Sequence, residues 1–190
     1  MTDDSRKLAA AASARALLLA CYDGVLATVS VDVPGYPFGS VVPFCVDRLG
    51  RPLILIASIA QHTRNVRADA RVSLTVFDRG QPDLQAAGRV TVLGDAVRLG
   101  PDERDLALRY YRWFPQSHDY DRTHDFAFHT IVPRRIRFIG GFGEIHWLEP
   151  ASFTRANPFD EAAEAGILAH MNADQSSGLA GPAGCGRARS

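Results

Sequence analysis

The chain has 190 residues, 46% of them hydrophobic, enough for one domain of ordinary size with a real core plus an appendage and too few for two full domains. Its 21 basic and 21 acidic residues cancel, so the overall balance points to no nucleic-acid partner and no anionic membrane. Cys21, Cys45 and Cys185 are widely spaced, a reducing-compartment pattern and not a disulfide framework, and the densest apolar stretch near the N-terminus is too short to span a bilayer, so a cytoplasmic protein without membrane association is expected.

From about Ser5 to Tyr22 the positions Leu8, Ala12, Arg15, Leu18 and Leu19 follow helical spacing, with Asp3 or Ser5 available as a cap. Gly24 to Asp32 alternates and is β-branched, the turn signal Val33-Pro34-Gly35-Tyr36-Pro37 follows, and Phe38 to Asp47 completes a hairpin. The continuous apolar run Leu53 to Ser58 reads as a strand buried on both faces, so the first three strands form a meander. A short polar helix over roughly Ala60 to Ala68 precedes a strand from Arg71 to Phe77 and a long strand from Ala86 to Arg98. Pro101-Asp102-Glu103 opens a helix to about Phe114, with acids at the positive end of its dipole. After a polar loop, Phe126 to Ile139 and Gly143 to Leu148 read as two closing strands.

Six or seven strands with only short helices between them do not make a βαβ pattern. The expected fold is mainly β, of the α+β kind, a small barrel with peripheral helices. Residues 1–150 make the barrel domain; residues 151–175 begin a truncated helical or α/β appendage, with a helix start at Asn157; residues 176–190, rich in Gly and without apolar periodicity, are expected to be disordered.

Nucleophile-elbow, Walker A, CxxC and HExxH motifs are absent, so no catalytic residue stands out. Gly140-Gly141-Phe142-Gly143 links two strands and reads as a sharp barrel-corner bend, not a dinucleotide loop. His118, His124 and His129 lie near Asp119, Asp121 and Asp125 without metal-ligand spacing, so no metal site is expected there. His146 should face opposite to Ile145 and Trp147 by strand alternation. The informative stretch is Ser58 to Asn65, where a buried strand enters a helix N-terminus. Unpaired N–H groups, the hydroxyls of Ser58 and Thr63 and the guanidinium of Arg64 suit a phosphate dianion, although the same residues also read as a plain cap at Ser58 with a surface Arg and Thr.

Gly35 to Val76, with the later run Gly88-Arg89-Val90-Thr91-Val92-Leu93-Gly94-Asp95-Ala96, resembles the FMN-binding split-barrel proteins of the pyridoxamine 5'-phosphate oxidase-like superfamily. Within it, the segment from Arg137 to Trp147 and His170-Met171-Asn172-Ala173-Asp174 are similar to the haem-utilisation branch. The resemblance implies a split-barrel homodimer with FMN in clefts between subunits. On that mapping Val41, Val42 and Pro43 offer backbone groups to the flavin, Ala57, Ser58, His62, Thr63 and Arg64 hold the ribityl phosphate, Arg89 adds a contact, and Trp147 approaches from the second subunit. The function it implies is a flavin-dependent oxidoreductase-like protein. The alternatives are haem binding or haem degradation in the same cleft, with His146 or His170 as iron ligand, and a non-enzymatic dimeric module.

Overall fold

Alternation of apolar and small or polar side chains sets the strands in pairing register. In β1 (Asp23–Val29) and β4 (Arg71–Phe77), every second side chain is buried, so each strand gives one face to a core and one to the outside. The computed structural model describes residues 3–122, 125–141, 143–160, 162–167 and 169–170. Its elements run α1 (Asp3–Leu19), β1, β2 (Pro37–Val46), β3 (Pro52–Ala57), α2 (Gln61–Ala68), β4, β5 (Arg89–Arg98), α3 (Arg104–Trp113), a 3-10 segment (Pro115–Arg122), β6 (Phe126–Ile139), β7 (Ile145–Leu148) and α4 (Pro150–Phe153).

The strands are ordered β3-β2-β1-β4-β5-β6-β7, and β3 also pairs with β6, which closes a six-stranded antiparallel barrel and leaves β7 as an extra strand on β6. One strand can serve three neighbours because β6 is 14 residues long: its first part pairs with β3 and its last part with β7, on the same edge. Between them the register with β5 shifts at Leu93/Gly94, so that Arg134 is the extra residue of a bulge. Gly94 is required there, since a Cβ would lie 2.3 Å from the Val132 carbonyl oxygen. The barrel expected from the sequence is the one observed, with β3 buried along both faces.

The interior is filled by Leu26, Phe44, Ile54, Ile56, Leu74, Val90, Val92, Ile131 and Ile136, all buried. A second cluster, around Leu53, Leu55, Leu106 and Tyr110, packs α3 against the outer face of β3. The helical spacing of α1 is as expected, but the buried face is different. Ala10, Ala11, Ala14 and Leu18 turn inward, whereas Leu8 and Leu19 are more than half exposed, because small side chains let the helix backbone lie close on the barrel end. α2 lies at the opposite end, held by the fully buried Asn65, which donates to Thr28 Oγ1 (2.9 Å) and accepts from the backbone N–H of Val31 (3.1 Å). Positive φ at Gly141 (117°) and Gly143 (87°) makes the turn between β6 and β7, as the glycine run implies.

Residues up to Ala156 form one compact unit, and Asn157–Ser190 form a second. In the second, residues 162–167 and 169–170 are helical, with Asp160 Oδ1 accepting from the Ala163 N–H (2.8 Å) as a cap. The tail expectation for 176–190 lies outside the described residues.

Candidate functional site

The segment from Ser58 to Asn65 does bring a strand end to a helix N-terminus. The cap position is Ala60, not Ser58, and no side chain caps it. On α2, Thr63, Val66 and Arg67 share one face at i, i+3 and i+4 spacing, which helical geometry turns toward the barrel end. Thr63 is buried and its hydroxyl donates to the Ala57 carbonyl (2.6 Å). Arg64 lies a third of a turn away and points elsewhere. Its Nη2 pairs with Asp32 Oδ1 (2.7 Å) and its Nη1 donates to Gln61 Oε1 (3.0 Å), both partners being surface groups. His62 turns toward β2, its Nδ1 3.1 Å from Ser40 Oγ, and burial holds its pKa below the ordinary imidazole value.

The ten residues mapped for a flavin do not all converge within one subunit. Ala57, Ser58, His62, Thr63 and Arg64 cluster around α2. Next to them, β2 places Val41 and Pro43 outward, Val41 70% exposed, and Val42 inward. Arg89 stands opposite Phe77, six residues along β4 from Arg71, or about 20 Å from the α2 end at ~3.4 Å per residue. Its Nη1 donates to the Leu84 carbonyl (3.1 Å). Trp147 belongs to that same distant end. It closes an outward row that crosses six of the seven strands in register, Val41, Val25, Thr75, Thr91, Arg137, Trp147.

That row belongs to an outer face with few charges. On β1 and β2 its outward side chains include Val25, Ala27, Val29, Gly39, Val41 and Pro43, with Val25 and Val29 both over a third exposed, and Asp23 at the start of β1 pairs with Arg79. At its far edge the Trp147 ring lies under Arg135 and Arg137, with guanidinium carbons 5.9 and 5.0 Å from the ring centroid. His146 faces opposite to Ile145 and Trp147, toward the first turn of α1, as alternation requires. A cavity of about 460 Å³ lies beside them, lined by Lys7, Leu8, Arg135, Trp147 and Leu148 together with Asp4 and Glu149. His170 is exposed in the second unit.

Sequence reasoning missed a second cavity. At the α2 end of the barrel, about 170 Å³ is enclosed by Ser58, Thr63, Arg67, Arg98, Asp125 and His129 among others. His129 occupies an inward slot of β6 between Ala127 and Ile131, and is 5% exposed. Burial, then the charges of Arg98, Arg67 and His62, push its pKa down, while its contact with the Ala127 carbonyl acts the other way. The signal was available in Phe126 to Val132, where the alternation that places Ala127 and Ile131 inward places His129 inward too. Of the histidines near one another in the sequence, His118 stacks on Tyr111 at 3.9 Å and His129 is inside the barrel, while His124 lies outside the described residues.

A family model described as "CREG, beta-barrel" matches residues 5–155. The chain belongs to the CREG beta-barrel family. Its fold is that of the FMN-binding split barrels of the pyridoxamine 5'-phosphate oxidase-like group, as the resemblance implied. This CREG beta-barrel chain is 30% identical over 159 residues to the chloroplastic haem oxygenase HOZ of Arabidopsis thaliana, covering 80% of this chain and 48% of that one. It is 27% identical over 128 residues to the haem oxygenase HutZ of Vibrio cholerae, covering 64% of this chain and 72% of that one. Among solved structures it is similar to a haem-binding protein from Mycobacterium smegmatis, with a TM-score of 0.69, 29% identity, and coverage of 87% of this chain and 68% of the other. The chain thus spans about half the length of its Arabidopsis relative. No described helix is long and apolar enough to cross a membrane.

Proposed function

We propose that this chain binds haem and acts on it as a haem oxygenase-like enzyme, working as a homodimer. The observation that carries the reading is the similarity to a haem oxygenase over four fifths of the chain, joined by a haem-binding structural neighbour at 29% identity. It reverses the order of the two cofactors expected from the sequence, where FMN came first.

The residues at the Trp147 end fit the group. His146 is a half-buried imidazole with no hydrogen-bond partner among the described residues, next to an exposed indole and to three cations, Lys7, Arg135 and Arg137, that suit carboxylate side arms. Bound haem supplies the iron and the macrocycle on which oxidative cleavage takes place. At the edge strand β7 the protein's own part would be to offer the imidazole of His146 from one side of the strand and, from the other side, apolar cover by Trp147 and Leu8 and cations for the carboxylates in Lys7 and Arg135. The cavity beside them, about 460 Å³, lies within the ~300–1,000 Å³ usual for small-molecule sites. His170 is the other imidazole that the resemblance to the haem-utilisation branch singles out.

A homodimer is favoured by the outer face of β1 and β2, whose outward side chains from Val25 to Val29 and Gly39 to Pro43 are apolar or small, Asp23 at the start of β1 being paired with Arg79. Light scattering at micromolar concentration is expected to give twice the chain mass, and a monomer mass would remove this part of the reading.

FMN is the second reading, favoured by one contact. His62 Nδ1 and Ser40 Oγ meet at 3.1 Å beside Val41, which is 70% exposed, where residues 37–43 of β2 pair with β1 and not with β3, so that α2 donors and a strand edge are available together. On this reading Val41, Val42, Pro43, Ala57, Ser58, His62, Thr63 and Arg64 come from one subunit, and Arg89 and Trp147 from its partner.

Titrating the purified protein with hemin separates the two. Haem binding gives a saturable shift of a single intense Soret band, reduced in His146→Ala; flavin gives two broad bands in the blue and near ultraviolet. Unchanged free-hemin absorption across the titration would remove the haem reading.

A further inference from the structure

The cavity at the α2 end has no part in the haem reading, which uses the opposite end of the barrel. Its chemistry is nevertheless specific. His129 is 5% exposed, and its Nδ1 lies 3.2 Å from the Ala127 carbonyl oxygen. A carbonyl only accepts, so Nδ1 carries the proton, and in the neutral ring Nε2 presents a bare lone pair. No group among the described residues bonds that Nε2, and His129 lines the cavity.

The charges around it are unbalanced in one direction. Arg51, Arg64, Arg71, Arg79, Arg134 and Arg135 each pair with a carboxylate, whereas Arg67 and Arg98 have no carboxylate partner among the described residues. Both of these line the cavity, Arg67 from α2 and Arg98 from the end of β5, where it pairs in register with His129. His62 adds its influence from α2, and the facing residue of β3, Ile54, is apolar. One acid, Asp125, stands at the rim, against two guanidiniums. Its main-chain carbonyl accepts from the Ser58 N–H at 2.7 Å and ties the wall together.

We propose that this cavity is a binding site for a small oxyanion, a phosphate or carboxylate group, held by Arg67 and Arg98 with His129 Nε2 as the third contact. A volume of about 170 Å³ has room for five or six waters at ~30 Å³ each. That excludes a flavin or a porphyrin and admits a single anionic group. The arginines supply forked donors to its oxygens, and His129 either accepts from a protonated oxygen or takes up a proton and donates to a charged one. The anion is either a free ion or the head of a larger molecule, since Arg98 and Ala127 also line an adjoining groove of about 580 Å³ with Phe126, Phe128 and Arg104.

Protonation of His129 and anion binding are reciprocal on this arrangement. Burial, Arg98, Arg67 and His62 disfavour the imidazolium, and an anion between it and the arginines offsets them. The experiment follows the His129 imidazole by NMR in histidine-labelled full-length protein, assigned through His129→Gln, with inorganic phosphate and phenyl phosphate as probes. Saturating phosphate is expected to raise the His129 pKa by about one unit and, by reciprocity, to tighten phosphate binding about tenfold between the two protonation states. Arg67→Gln with Arg98→Gln, both at exposed positions that leave folding intact, should weaken binding at least tenfold, while Arg134→Gln should not change it. Tighter binding of phenyl phosphate identifies the head of a larger ligand, and tighter inorganic phosphate a free ion. A His129 signal that ignores both probes, or a double variant that binds them as well as wild type, overturns the site.

Discussion

Asn65→Ala tests how α2 is fixed to the barrel. Asn65 is fully buried and makes three side-chain hydrogen bonds: to Thr28 Oγ1 at 2.9 Å, from the Val31 N–H at 3.1 Å, and from Gln61 Nε2 at 2.9 Å. The Gln61 amide is half-buried and can turn to water, so two of the three are lost outright. At ~1 kcal/mol each, with a further contribution from the buried Thr28 hydroxyl left without its Asn65 donor, the substitution should cost about 2–3 kcal/mol. For a chain of this size that is a fall in Tm of roughly 5–10 °C. Urea unfolding followed by circular dichroism reads the first number and calorimetry the second, and amide exchange should show loss of protection in α2 ahead of the barrel strands. A loss below about 0.5 kcal/mol would mean that α2 is held by Thr63 and Val66 alone, and that Asn65 does not position the Ser58–Thr63 wall.

Gly94→Ala should destabilise by about 2 kcal/mol or more in urea unfolding, because the new Cβ meets the Val132 carbonyl oxygen at 2.3 Å and backbone must move; a neutral result would show that the β5–β6 bulge relaxes freely. His62 and His129 both have pKa values pushed below 6.5, so the unfolded chain binds more protons than the folded one just below that pH. Their contribution is therefore complete above about pH 6.5 and is lost as pH falls through the depressed values. The urea midpoint in a phosphate-free buffer should drop between pH 7.5 and 5.5, and His62→Gln with His129→Gln should flatten that drop; an unchanged slope contradicts the assignment. Burial pushes the Cys45 thiol up to about 12, so at pH 8 iodoacetamide mapped by mass spectrometry should leave Cys45 unmodified until denaturant is added, and rapid native labelling would place β2 wrongly.

The strands were legible because the barrel leaves one face of most strands wet, which writes a period of two into the sequence; the limits expected for Arg71 to Phe77 and Phe126 to Ile139 are those observed. Leu8 and Leu19 misled because hydrophobicity marks leucine over alanine, while close helix-to-barrel packing selects the smaller side chain. The site was half legible. Ser58 and Thr63 stand where strand meets helix, but a run of sequence does not tell which face of α2 turns inward, and that face carries Arg67 and not Arg64. Arg98 and His129 join them from strands more than 30 residues further on, brought together only by barrel closure.

The haem reading meets its most direct test at Trp147. The chain has two tryptophans, Trp113 and Trp147, so Trp113→Phe leaves Trp147 as the single indole reporter. Hemin is expected to quench the Trp147 emission, saturating near one equivalent per chain as the Soret band shifts, with FMN failing to compete. Emission that is indifferent to hemin, or quenched by FMN and unchanged when hemin is then added, would contradict haem binding at this corner of the barrel.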